Sequence, residues 1–117
     1  MYKEVSMKIN KELMKGSTVI LILTLLEQKP MYGYEMSKVM EKNSDGVLSL
    51  KEGTLYPILH TLESDGMVHS YWSEGDGERK RKYYEITPEG KKYLQDKKQE
   101  WVTFRTAVDH VLGGGHA

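Results

Sequence analysis

The stretch Lys51-Glu52-Gly53-Thr54-Leu55-Tyr56-Pro57-Ile58-Leu59-His60-Thr61-Leu62-Glu63 decides how this chain is read. Leu55, Ile58, Leu59 and Leu62 recur at the spacing of one apolar helix face. Gly53 and Pro57 interrupt the same stretch, and both are poor residues for a helix interior. A proline there removes the bond to the carbonyl four residues back and presses its ring on that carbonyl. The residue four back is Gly53, which crowds least, so the pair reads as one local bend in a helix that continues to Ser64. Asp65-Gly66 supplies the stop. Ser49 followed by Glu52 has the form of a capping box, which puts the helix start near Leu50.

Upstream, residues about 10 to 28 read as a helix that is nearly apolar all round from Val19 to Leu26 and therefore central to the core. Lys29-Pro30 ends it. A second helix is expected from Gly33 to Asn43, with Met36, Val39 and Met40 inward and Glu35, Lys38, Glu41 and Lys42 outward. Ser44-Asp45-Gly46 then breaks the chain. Downstream, Met67–Ser73 and Lys80–Thr87 read as strands joined by the turn residues 74–78, a β-hairpin. Thr87-Pro88-Glu89 opens a last helix, with Thr as N-cap and Pro at the first helical position, running to Leu112. Along it Leu94, Trp101 and Val108 repeat every seven residues, with Phe104 and Val111 as a companion row, a short coiled-coil-like seam. The glycines of 113–117 predict a disordered tail.

The resulting class is mainly α with a small β-hairpin (α+β). Three helices followed by a hairpin is the winged helix-turn-helix arrangement, in which the third helix enters the major groove and the hairpin touches the backbone. The division expected is a winged helix-turn-helix domain over 1–87, a dimerisation helix over 88–112 and the tail 113–117.

Composition bounds the reading. The chain has 117 residues, with 17 Lys+Arg against 17 Asp+Glu and a formal net charge of zero, so bulk charge does not advertise a nucleic-acid partner. There is no cysteine, which excludes a disulfide scaffold and thiolate metal sites. The apolar run Val19–Leu26 is too short to span a bilayer, and the first residues lack the apolar run of a signal peptide. The expectation is a soluble cytoplasmic protein with no membrane partner.

Local clustering carries the chemistry. Arg79, Lys80, Arg81 and Lys82 open the second strand, and at a hairpin tip they would reach separate phosphates. On its own such a run is more often a solvated hairpin; straight after a helix-turn-helix pattern it reads as a backbone clamp. The polar face of the third helix offers Lys51, Thr54, Tyr56, Pro57, His60, Thr61 and Ser64, whose hydroxyls and charge suit phosphate oxygens. Base readout falls to Thr54, His60 or Thr61. The Tyr56 ring can equally pack into the core. Trp101 on the seam is a packing residue at a dimer interface or, in a sharper reading, one of two facing platforms for a flat aromatic ligand. No enzyme is expected. The histidines His60, His69, His110 and His116 lack ligand spacing, no Gly-rich phosphate loop is present, and no metal or cofactor is implied.

The blocks Pro30-Met31-Tyr32-Gly33-Tyr34-Glu35, Glu52-Gly53-Thr54-Leu55-Tyr56-Pro57-Ile58-Leu59, Leu62-Glu63 with Asp65-Gly66, Arg81-Lys82-Tyr83-Tyr84 and Thr87-Pro88-Glu89-Gly90 together resemble the PadR family of bacterial transcriptional regulators. The similarity spans residues 16 to 112. The single last helix is similar to the short-tailed subfamily that includes a multidrug-responsive regulator of lactococci. The resemblance implies a homodimer that binds double-stranded DNA at a pseudo-palindromic operator, commonly as a repressor, in some members released by a planar aromatic effector. Lys51, Thr54, Tyr56, Arg79, Arg81 and Lys82 fit the family's DNA-contact positions. Trp101 fits its ligand platform, with Val19, Leu23 and Phe104 as lining. His60-Thr61 departs from the arginine that many members carry just before the Leu-Glu pair. The alternative reading is a winged-helix protein-interaction module that does not bind DNA, since fold alone does not settle function.

Overall fold

The computed structural model describes residues 16–73 and 79–114. The expected hairpin turn at 74–78, the expected helix start at 10–15 and the end of the expected tail lie outside the described residues. The elements are α1 (Thr18–Gln28), β1 (Met31–Tyr32), α2 (Gly33–Asn43), α3 (Glu52–Ser64), β2 (Val68–Ser73), β3 (Arg81–Ile86) and α4 (Pro88–Val111).

α1 runs through the core, burying Thr18, Ile22, Leu23, Leu25 and Leu26. Among the described residues it begins at Thr18, after a turn at Gly16-Ser17, and ends where Lys29, extended ahead of Pro30, leaves the helical region. β1 was not foreseen. Its two residues pair antiparallel with β3, Met31 opposite Tyr84 and Tyr32 opposite Tyr83, so the hairpin becomes a three-stranded sheet of order β1-β3-β2. α2 has the expected span, with Met36 and Met40 buried. Asp45 and Gly46 then turn the chain in the left-handed region, at φ 53° and 81°.

α3 begins at Glu52, with Lys51 as N-cap and no side-chain cap, so the capping box from Ser49 does not form. The residue between them explains why. Leu50 is buried and its carbonyl accepts a 2.9 Å hydrogen bond from the Ser37 hydroxyl, which fastens this segment to α2 as a loop. The helix does run through Pro57 to Ser64. The expected role of Gly53 in making room for the proline ring is not borne out: a Cβ at Gly53 would meet no atom within 4 Å. Gly53 is exposed instead, where water can take the carbonyl that Pro57 leaves unbonded.

α4 is set by a clasp at its start. Thr87 Oγ1 accepts from the Gly90 N–H at 2.9 Å and donates to the Gly66 carbonyl at 2.7 Å, while the Thr87 N–H donates to the Met67 carbonyl at 3.0 Å. Gly90 is buried against that same Met67 carbonyl, and a Cβ there would overlap it and lie 2.8 Å from Ile86 Cγ1. The Thr-Pro-Glu-Gly block is thus the half of a joint whose other half is the Asp65-Gly66-Met67 turn. Further along, Leu94 is fully buried and Lys98 pairs with Glu27 of α1 at 3.3 Å.

Candidate nucleic-acid interface

Leu55, Leu59 and Leu62 hold α3 to the core by one face. The opposite face leaves Lys51, Thr54, Tyr56, Pro57, His60, Thr61 and Ser64 exposed. The Thr61 hydroxyl donates back to the Pro57 carbonyl at 3.2 Å, so its proton is already engaged, whereas Thr54 and His60 lie on the open surface. Lys51, at the N-cap, adds charge to a helix end already positive from its dipole.

Tyr56 is divided between the surface and the fold. It is 42% exposed, yet its hydroxyl end lies against Gly33 at the start of α2, where an added Cβ would come 2.6 Å from Tyr56 Cζ. Burial first, then the Glu52 carboxylate and Tyr84, raise its pKa above the usual phenol value of 10.0. The two most distinctive blocks of the sequence therefore touch: the tyrosine of one occupies the space that the glycine of the other vacates.

The wing is shorter than read from the sequence. β3 starts at Arg81, so only Arg81 and Lys82 alternate along a strand, while Arg79 and Lys80 precede it, both exposed. The Arg81 guanidinium stands 4.6 Å over the Tyr32 ring, and Lys82 Nζ lies 5.7 Å over the Tyr84 ring. Tyr83 faces Tyr32 edge-on at 5.4 Å and stacks on Tyr71 at 5.8 Å, an aromatic row across all three strands. Between wing and helices lies a groove of about 760 Å³ lined by Arg79, Lys80, Arg81 and Lys82 together with Tyr32, Tyr34, Tyr56, Trp72 and Tyr84. Tyr32, Tyr34 and Trp72 were not singled out from the sequence.

The seam residues separate into two groups. Leu23 and Leu94, expected along the ligand and dimer seam, are fully buried in the chain's own core, because α4 packs its first turns on α1 and β3. Beyond Leu94 the helix leaves the core, and Trp101 (37% exposed), Phe104, Val108 and Val111 are at or near the surface. The Trp101 indole N–H donates to Ser17 Oγ at 3.2 Å and Arg105 stands 5.2 Å over its ring. A second groove, about 650 Å³, joins Trp101 and Phe104 to Val19, Ile20 and Tyr93. Among the described residues no group of three or more His, Asp or Glu gathers to hold a metal ion, and no helix is long and apolar enough to cross a membrane.

Such a molecule is a winged helix-turn-helix protein carrying one further long helix. Residues 22–96 match the model of the transcriptional regulator PadR-like family. A transcriptional regulator from Clostridium thermocellum is similar at TM-score 0.78 and 36% identity, over 85% of this chain and 96% of that one. A PadR family transcription regulator from Clostridium difficile matches at TM-score 0.71 and 42% identity, over 80% and 96%. A transcriptional regulator of Mycobacterium tuberculosis is 40% identical over 62 residues, 53% of this chain and 54% of that protein. The chain belongs to the PadR-like family of transcriptional regulators.

Proposed function

We propose that the protein is a homodimeric repressor that binds a pseudo-palindromic DNA operator and is released by a planar aromatic ligand at the dimer interface, as in the short-tailed subfamily. The observation that carries it is the division of its surface. Tyr56 and the cations Arg79 to Lys82 line one groove and Lys51, Thr54 and His60 are exposed at the start and along α3, while α4 leaves Trp101, Phe104 and Val111 without cover. The first surface suits a polyanion. The second is apolar area that a second copy would bury. In this reading residues 1–87 form the reading head, α4 holds the dimer, and two α3 helices enter successive major grooves roughly 34 Å apart.

The test is fluorescence anisotropy with labelled duplex from upstream of the protein's own gene, against random duplex, across a salt series. A complex beating random duplex about a thousandfold and weakening steeply with salt is expected. Reversing the charges of Arg79 to Lys82 should abolish it. Absence of binding even at low salt would refute the DNA reading and leave a protein-interaction module. For the effector, quenching of tryptophan emission by planar aromatics should be lost in Trp101→Ala; quenching retained in that variant would rule out the Trp101 platform.

A further inference from the structure

The groove between wing and helices has a composition that phosphate binding alone does not require. Trp72, the last but one residue of β2, is 64% exposed and sits directly across the ladder from Lys82. Tyr34, on the first turn of α2, is 53% exposed and lines the same groove. Exposing an indole and a phenol to water forgoes the burial that large aromatics otherwise provide. Among the described residues lining this groove there is no carboxylate, and four cations stand beside the rings. Basic side chains alternating with exposed aromatic faces are the chemistry of a nucleic-acid strand. In a duplex the bases are stacked away, so the apolar surface offered between successive phosphates is the deoxyribose.

We propose that this groove takes one sugar–phosphate strand of duplex DNA, with Trp72 and Tyr34 packed on deoxyribose faces and Arg79, Lys80 and Lys82 on the flanking phosphates. The inference rests on the DNA-binding reading above and adds to it a contact of a different physical kind. Phosphate contacts release counterions and weaken with salt; packing on a sugar releases none. Trp72 therefore contributes affinity that salt does not remove.

The experiment measures anisotropy of a labelled random-sequence duplex and of the upstream duplex from 50 to 300 mM salt, for the wild type, Trp72→Ala, Trp72→Phe and Lys80→Gln. Trp72→Ala is expected to weaken both complexes about fivefold to tenfold with an unchanged salt slope, and Trp72→Phe to recover most of the loss, as aromatic packing contacts do. Lys80→Gln is expected to flatten the slope by about one for each phosphate left without its cation. Emission quenched or shifted by duplex in the wild type, and unresponsive in Trp72→Phe, is the companion signature. If the wild type binds and Trp72→Ala binds equally well, this inference falls while the DNA reading stands. If Trp72→Ala flattens the salt slope, Trp72 acts only by holding a cation, and the sugar contact is refuted. If the wild type binds neither duplex at the lowest salt, both readings fall together.

Discussion

Gly53 and Gly90 both lie within helices, and replacing each by alanine should move stability in opposite directions. At Gly53 a methyl group meets no atom within 4 Å, so Gly53→Ala keeps every contact and gains helix propensity of about 0.5–1 kcal/mol. For a chain of this size that is a rise in Tm of about 2–5 °C. At Gly90 the methyl lands on the Met67 carbonyl and 2.8 Å from Ile86 Cγ1, atoms fixed by backbone and core. The same propensity gain is then outweighed by overpacking of about 1–3 kcal/mol and by loss of the Thr87 cap at about 1 kcal/mol. A net loss of about 2–3 kcal/mol and a fall in Tm of roughly 10 °C are expected. Melts followed by circular dichroism at one protein concentration give both values. DNA binding should show the reverse for Gly53: the open space above it faces outward beside Lys51 and Thr54. Gly53→Ala should therefore weaken the complex by about tenfold, or ~1.4 kcal/mol, if a phosphate approaches the backbone there. A destabilised Gly53→Ala, or a Gly90→Ala with an unchanged Tm, would refute the contacts on which this rests.

Thr87→Ala should cost about 1–2 kcal/mol, read from urea midpoints, because one hydroxyl serves both the Gly90 N–H and the Gly66 carbonyl. Gly33→Ala should push Tyr56 off α2, and its effects on stability and DNA affinity should be largely absent in a Tyr56→Ala background, as a double-mutant cycle measures. Burial, then the Glu63 carboxylate, raises the Tyr84 pKa above 10.0. The folded state thus holds that proton more tightly than the unfolded chain. Stability from Tyr84 is complete below pH 10 and is lost as pH rises through the folded value, so urea midpoints should fall there and fall less in Tyr84→Phe. Trp101→Ala, at a ring 37% exposed in the single chain, should cost well under the roughly 3–5 kcal/mol of a core truncation at high dilution. Its cost should grow toward that range as protein concentration rises and the ring is covered by a second copy.

The helices were legible where a buried stripe coincided with clear punctuation. Met36 and Met40 between Gly33 and Ser44 gave α2 its full span, and the Thr87-Pro88 start gave α4 its first turn. α3 was legible as a helix but not at its start, because the Ser37 bond to the Leu50 carbonyl joins residues 13 apart and leaves no local pattern. β1 is two residues long, shorter than any alternation that periodicity can register. The sevenfold spacing grouped Leu94 with Trp101 and Val108, but a helix that leaves the core midway gives identical spacing two different neighbourhoods. The cations and the polar face of α3 were readable from their local run. Tyr34 and Trp72 were not, since only the fold brings the start of α2 and the end of β2 to one groove.

The clasp at Thr87 also sets a mechanical ratio. It fastens the first turn of α4 to the turn that ends α3, through the bonds from the Thr87 hydroxyl to the Gly66 carbonyl and from the Thr87 N–H to the Met67 carbonyl, and through the close seat of Gly90. From that joint α4 extends 24 residues, roughly 36 Å at 1.5 Å per residue. With the joint rigid, tilting α4 by about 5° carries its far end roughly 3 Å. Displacement at the far end is geared down in the same proportion at α3. In the proposed reading the fold is a long-armed lever with its fulcrum beside α3, in which coarse movement among the exposed side chains of α4 becomes fine adjustment of the surface proposed to face DNA.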